Sequence, residues 1–182
     1  IMLDRSAEMI VGILGILKTG AGYVPDNPDN PPARVNYILE NSGARVMIRR
    51  PSANGEDVEN EFPADVVTLD VETLVNRNRN SEAPASFVFG PGDYNRVAYV
   101  IYTSGSTGNP KGVPITHSNL SPFLHWGYKH VGFEESDRSV QNLSFYFDLS
   151  VWEIFMALST GGSLYMTSRE MLMDAPAMAA YM

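Results

Sequence analysis

Residues 103–112 (TSGSTGNPKG) hold four hydroxyl side chains, three glycines and one lysine within ten positions. Gly105, Gly108 and Gly112 let the backbone turn tightly and point N–H groups inward, which makes a nest for oxyanions. Thr103, Ser104, Ser106 and Thr107 add hydroxyls, and one of the four suits a magnesium ion carried by a phosphate ligand. Lys111 brings a mobile point charge suited to a β- or γ-phosphate. The order differs from the nucleotide-triphosphatase loop, which needs Gly-Lys followed by Ser or Thr. Here Pro110 precedes Lys111 and Gly112 follows it. A solvated surface loop would share this composition. The apolar strand directly before it and the density of hydroxyls favour the phosphate reading.

A second group of residues lies near Asp148. Asp148 directly precedes a helical stretch at 150–158, so its plainest role is a helix cap. Trp152 follows one helical turn later, so the two can face one cavity, although spacing alone favours core packing for Trp152. Leu149 lies between them. Glu153 and Phe155 read as structural. His117, His125 and His130 lie on or beside one helix, with no thiolate or carboxylate at ligand spacing. His117 reads as capping or flanking that helix. Met171, Met173, Met178 and Met182 read as packing residues.

The elements that must position these groups are legible in outline. Apolar residues at Ile10, Ile13, Leu14 and Leu17 predict a helix over 6–18, capped by Ser6 and stopped at Gly20. Tyr23 and Val24 are extended, and 26–32 is turn sequence with three prolines. Pro32 suits the first position of a second helix, striped by Val35, Ile38 and Leu39 and ended by Gly43. Strands are predicted at 45–48, 66–69, 97–102, 113–116, 139–143 and 164–166, with helices at 120–130 and 150–158. The 97–102 run (VAYVIY) suits a strand buried on both faces. Polar loops span 49–63 and 76–95, and the latter is the expected internal boundary. The alternation predicts an α/β fold, a layered and largely parallel sheet flanked by helices. A loop following the central strand then sits where open α/β sheets bind ligands.

The 182 residues suffice for about one domain, with 44% hydrophobic, 10% aromatic and 19% charged residues. A disordered or fibrous chain is excluded. Thirteen basic and twenty-one acidic residues leave a net charge of −8. Such a surface repels phosphate backbones, so no nucleic-acid partner is expected. The absence of cysteine excludes disulfides and thiolate metal sites. No stretch reads as a membrane span or signal peptide, and the expected location is the cytoplasm. Ile1-Met2-Leu3-Asp4 at one end and a helical run reaching Met182 at the other suggest a piece of a longer protein.

YTSGSTGNPKG at 102–112 resembles the phosphate-loop signature of adenylate-forming enzymes. Residues 17–39 (LKTGAGYVPDNPDNPPARVNYIL) and 147–155 (FDLSVWEIF) resemble two further blocks, in the same order, of the adenylation domains of nonribosomal peptide synthetases. The first block departs at Asp26 and Asn27, where those domains carry an apolar residue and then Asp. The resemblance implies part of the large N-terminal core over 1–182. The rest of that core and a small C-terminal domain with its catalytic lysine lie outside it, so this piece alone is expected to be inactive. It implies ATP-dependent activation of an amino acid as an aminoacyl-adenylate, with release of pyrophosphate. Transfer to a phosphopantetheine thiol on a peptidyl carrier domain follows, with a condensation domain as a further partner in the parent chain. Thr103, Ser104, Gly105, Ser106, Thr107, Gly108 and Lys111 would contact ATP and pyrophosphate, with Mg²⁺ at Thr103. Asp148 would bind the substrate ammonium group, and Leu149 and Trp152 would line its side-chain pocket. The rival readings are an acyl-CoA or aryl-acid ligase, a D-alanine-activating ligase, and a non-catalytic remnant.

Overall fold

The computed structural model describes residues 1–50, 62–78, 87–104 and 109–181. The chain divides into two compact units, one of Ile1–Asp4 and Glu8–Leu120, the other of Arg5–Ala7 and Ser121–Met182. Residues 79–86, the middle of the expected boundary at 76–95, lie outside the described residues.

In the first unit, α1 (Ala7–Lys18) buries Met9, Ile10 and Ile13, the stripe that its apolar spacing predicts. A tight turn at 26–32 follows. Buried Asp26 accepts hydrogen bonds at Oδ1 from the Asn27 amide (2.9 Å) and the Asn30 side chain (2.5 Å). Burial raises its carboxyl pKa above the ordinary value, and these bonds oppose the rise. The departure from the family block thus places a buried carboxyl where an apolar side chain is usual. Helix α2 (Pro32–Ser42) starts with proline at N1 and ends on Gly43, whose φ of 69° is left-handed. Its Val35 and Leu39 pack on Met47 of β1 (Val46–Arg49), with Ala44, Phe62 and Val66 alongside. Strand β1 pairs in parallel with β2 (Val67–Asp70), Val46 opposite Val67.

Helix α3 (Val71–Asn78) extends into the stretch from 76 onward where turn residues predict a loop. Asp70 caps it, accepting from the amides of Glu72 (3.0 Å) and Thr73 (3.2 Å) and from the Thr73 hydroxyl (2.5 Å). The hydroxyl bond is the main cause that lowers its carboxyl pKa. A capping Asp before Val-Glu-Thr was a readable start signal. An apolar cavity of about 870 Å³ opens among α1, α2, β1 and α3, and none of the described residues of 103–112 lines it.

Strand β3 (Val97–Thr103) buries Ala98, Tyr99 and Ile101. It is flanked on both edges. On one side it pairs antiparallel with β4 (Lys111–Thr116). On the other, Tyr23 bridges Tyr99 in parallel, donating to the Ala98 carbonyl (3.0 Å) and accepting from the Val100 amide (2.9 Å). The α/β layering holds, with two parallel pairs and this antiparallel one among the described residues. A short 3₁₀ turn, Asp93–Asn95, leads into β3.

Helix α4 (His117–Val131) begins three residues earlier than its apolar spacing predicts. Thr116 and Asn119 explain this. The Thr116 amide donates to Asn119 Oδ1 (3.1 Å), and the Asn119 amide donates to Thr116 Oγ1 (3.2 Å). This is a reciprocal capping box, so Thr116 is the cap and His117 the first helical residue.

The second unit is built on β5 (Arg138–Gln141), α5 (Leu149–Ser159) and β6 (Ser163–Met166), with β5 and β6 parallel and α5 the crossover. The expected strand 139–143 stops at Gln141. Helix α5 buries Val151, Ile154, Met156 and Ala157. Two short helices, α6 (Arg169–Leu172) and α7 (Ala175–Tyr181), complete it. No helix among the described residues is long and apolar enough to cross a membrane.

Candidate active site

The phosphate-loop candidates lie at the mouth of the β3–β4 hairpin. Thr103, the last residue of β3, pairs in register with Lys111, the first of β4. Thr103, Ser104 and Lys111 are all exposed. Among the described residues no carboxylate pairs with Lys111. A hydroxyl pair and a free ammonium group therefore share one loop mouth, which suits phosphate oxygens. Gly105, Ser106, Thr107 and Gly108 lie outside the described residues.

Gly112 acts differently from a turn glycine. It lies within β4, and a Cβ there would meet the Tyr102 ring at 3.0 Å and Val100 at 3.1 Å. Tyr102 in turn donates from its hydroxyl to Asn41 Oδ1 of α2 (2.7 Å). The glycine lets a ring anchored on α2 lie across the outgoing strand. His117, beyond β4, packs edge-on against Phe89 with centroids 4.7 Å apart. Burial lowers its pKa first, and the nearby Arg96 lowers it further.

In the second unit Asp148 is the N-cap of α5. Its Oδ1 accepts from the Leu149 amide at 2.8 Å, which leaves Oδ2 without a partner among the described residues. The side chain is exposed, as is Leu149 at 62%. Trp152, one turn on, is half-buried against α4. Its ring lies 5.1 Å from that of Phe123 and 6.2 Å from that of Trp126, measured between centroids. Trp126 also stacks on His130, whose Nδ1 lies 2.8 Å from the Trp126 carbonyl. Asp148 and Trp152 thus project from the first turns of one helix.

Two residues that the sequence reading took as structural or passed over hold this turn in place. Ser150 is fully buried, its hydroxyl within reach of the carbonyls of Phe145 (3.1 Å) and Phe147 (2.6 Å). It ties the strand-to-helix loop back onto α5. Glu153 Oε2 accepts from the amides of Leu143 (3.0 Å) and Asn142 (3.2 Å) and from the Gln141 side chain (3.3 Å). Gln141 is itself buried and also donates to the Leu143 carbonyl. Burial raises the Glu153 carboxyl pKa, and the amide bonds only partly offset the rise. These contacts bridge residues about ten apart, so periodicity carries no signal for them.

The strand–loop–strand and loop–helix arrangement agrees with what comparison with known proteins finds. The chain belongs to the AMP-binding enzyme family of adenylate-forming enzymes, which it matches over residues 1–182. Its relatives are nonribosomal peptide synthetases. It is 40% identical over 173 residues to surfactin synthase subunit 2 of Bacillus subtilis (strain 168), covering 93% of this chain and 4% of that protein. It is 36% identical over 183 residues to tyrocidine synthase 1 of Brevibacillus parabrevis, covering 100% of this chain and 16% of that protein. The chain thus spans a small part of the curated relatives it matches. Among solved structures, the nonribosomal peptide synthetase FmoA3 (S1046A) in its α-methyl-L-serine-AMP bound form matches 90% of this chain and 17% of that one, with a TM-score of 0.75 and 29% identity. The Klebsiella oxytoca NpsA N-terminal subdomain in complex with 3-hydroxyanthranilyl-AMSN matches 91% of this chain and 39% of that one, with a TM-score of 0.74 and 29% identity.

Proposed function

We propose that the protein activates an amino acid with ATP and passes it to a phosphopantetheine thiol on a carrier domain. The observation that carries the amino-acid reading is the placement of Asp148. It caps α5 through one oxygen, and the other has no partner among the described residues. That oxygen is available to an ammonium group, and a pairing of this kind gains strength as a bound ligand excludes water. Capping and substrate binding are compatible because they use different oxygens.

In the first step a carboxylate oxygen of the acid attacks the α-phosphorus of ATP. The bond from that phosphorus to the bridging oxygen breaks, and pyrophosphate leaves with the electron pair. Lys111, Thr103 and Ser104 hold and neutralise the leaving pyrophosphate, together with Gly105, Ser106, Thr107 and Gly108. The Thr103 hydroxyl would face Mg²⁺, which when bound neutralises phosphate charge. In the second step the carrier sulfur attacks the acyl carbon, AMP leaves, and the thiol proton passes to solvent. Leu149 and Trp152 wall the pocket for the acid's side chain.

Aryl-acid activation is the second reading, favoured by the likeness to NpsA, solved with 3-hydroxyanthranilyl-AMSN. Pyrophosphate exchange into ATP by the full-length protein separates the two. It is run with a panel of amino acids beside their des-amino analogues and with aryl acids. Exchange with one amino acid and not its analogue is expected. Exchange with amine-free acids would move the protein to the aryl or acyl ligases.

A further inference from the structure

Gly127 sits inside α4, one turn before its last residue Val131, with no positive φ to require a glycine. Glycine within a helix is destabilising relative to alanine, so its presence here calls for a packing reason. The reason is Trp152. A Cβ at Gly127 would lie 2.3 Å from the indole Cη2, 2.4 Å from Cζ3 and 3.0 Å from Met156 Sδ. The outer edge of the indole therefore rests directly on the α4 backbone. Met156 is fully buried and leaves no slack beneath. The rings of Phe123 and Trp126 stand close to the indole on α4. A rigid ring held in this way can yield only toward its exposed side.

We propose that Gly127, with Phe123 and Trp126, is a positioning set. It fixes how far the Trp152 indole projects from α4, and so sets the size of acid side chain that the enzyme accepts. This rests on the reading of Trp152 as a wall of the acid pocket. A difference of one methylene in an apolar pocket is worth roughly 10–200-fold in discrimination. A methyl at Gly127 displaces the indole by about the same dimension, and the effect grows with the size of the acid's side chain.

The test is pyrophosphate exchange by the full-length Gly127→Ala variant across acids of graded side-chain size. The best acid of the wild-type protein is expected to lose about tenfold in kcat/KM against its next smaller homologue. The loss is expected in KM, with kcat and the KM for ATP unchanged. Trp152→Phe shortens the ring and relieves the contact, so the double variant is expected to match Trp152→Phe alone in selectivity. Equal losses for all acids, a parallel rise in the KM for ATP, or no suppression by Trp152→Phe would each overturn the proposal. If Gly127→Ala does not fold, Trp126→Ala removes a flanking ring without adding bulk. It is expected to broaden the accepted sizes, and unchanged selectivity there would also overturn the proposal. The ratio is read within whichever acid series the wild-type protein exchanges. Failure of the amine reading therefore shows in the wild-type panel, and failure of this inference shows in the variants.

Discussion

Lys111 and Asp148 carry opposite charges, and each of the two tasks proposed for them has its own readout. Lys111 stands opposite Thr103 at the hairpin mouth, with no carboxylate partner among the described residues. Asp148 shares its carboxylate between the α5 cap and an open oxygen. Hydrogen bonds to charged groups contribute about 1.5–3 kcal/mol, or roughly ten- to a hundredfold in affinity. Asp148→Ala is therefore expected to weaken amino-acid-dependent exchange by at least that factor while nucleotide binding, followed by titration with labelled ATP, is retained. Lys111→Ala is expected to do the reverse, losing nucleotide affinity first. Equal loss of both in Asp148→Ala would leave the residue as a cap alone. These residue types were legible as chemistry because their meaning is local: a loop of glycines, hydroxyls and one lysine, and a carboxylate just ahead of a helix. The role of Gly112 was not legible, because the ring it accommodates is anchored on α2 by Asn41.

At the scale of elements, the first turn of α5 is held by Glu153 through the amides of Asn142 and Leu143 and the side chain of Gln141. Glu153→Ala removes these three hydrogen bonds, two of them from amides that water can reach, and is expected to cost about 1–2 kcal/mol, read by chemical denaturation. Glu153→Gln keeps an acceptor oxygen and is expected to cost less. The pH dependence has a definite sign. Burial, the largest cause, raises the Glu153 pKa in the folded state. The fold then binds this proton more tightly than the unfolded chain does. Stability from this group is present below the ordinary carboxylate pKa and is lost as pH rises through the raised value. Glu153→Gln is expected to flatten that fall, and an unchanged slope would show that another group causes it. Element boundaries were readable where a local device sets them, as at Pro32 and Gly43 of α2. The start of α4 escaped the apolar pattern because the Thr116–Asn119 capping box sets it, and α3 escaped because its Asp70 cap lies inside a predicted strand-to-loop transition.

At the scale of the whole molecule, the chain spans 4% of surfactin synthase subunit 2 and 16% of tyrocidine synthase 1, so carrier transfer is tested on the full-length protein. Incubation with labelled amino acid, ATP and a phosphopantetheine-bearing carrier is expected to place label on the carrier as a hydroxylamine-sensitive thioester. A carrier lacking the arm is expected to stay unlabelled, and label on both would show reaction at another group. The sequence by itself determined the α/β class, the three ordered blocks that carry the family resemblance, and the acidic balance of −8. Composition and local spacing are sufficient for the class and the charge, and the blocks are contiguous runs that resemble those of the family, so each depends on neighbours along the chain. Only the tertiary structure decided that Tyr23 covers the second edge of β3, that Glu153 clamps residues ten positions back, and that Gly127 of α4 seats the Trp152 indole. Each of these is a contact between segments far apart in sequence, where packing distance and burial set the outcome and no periodicity records it.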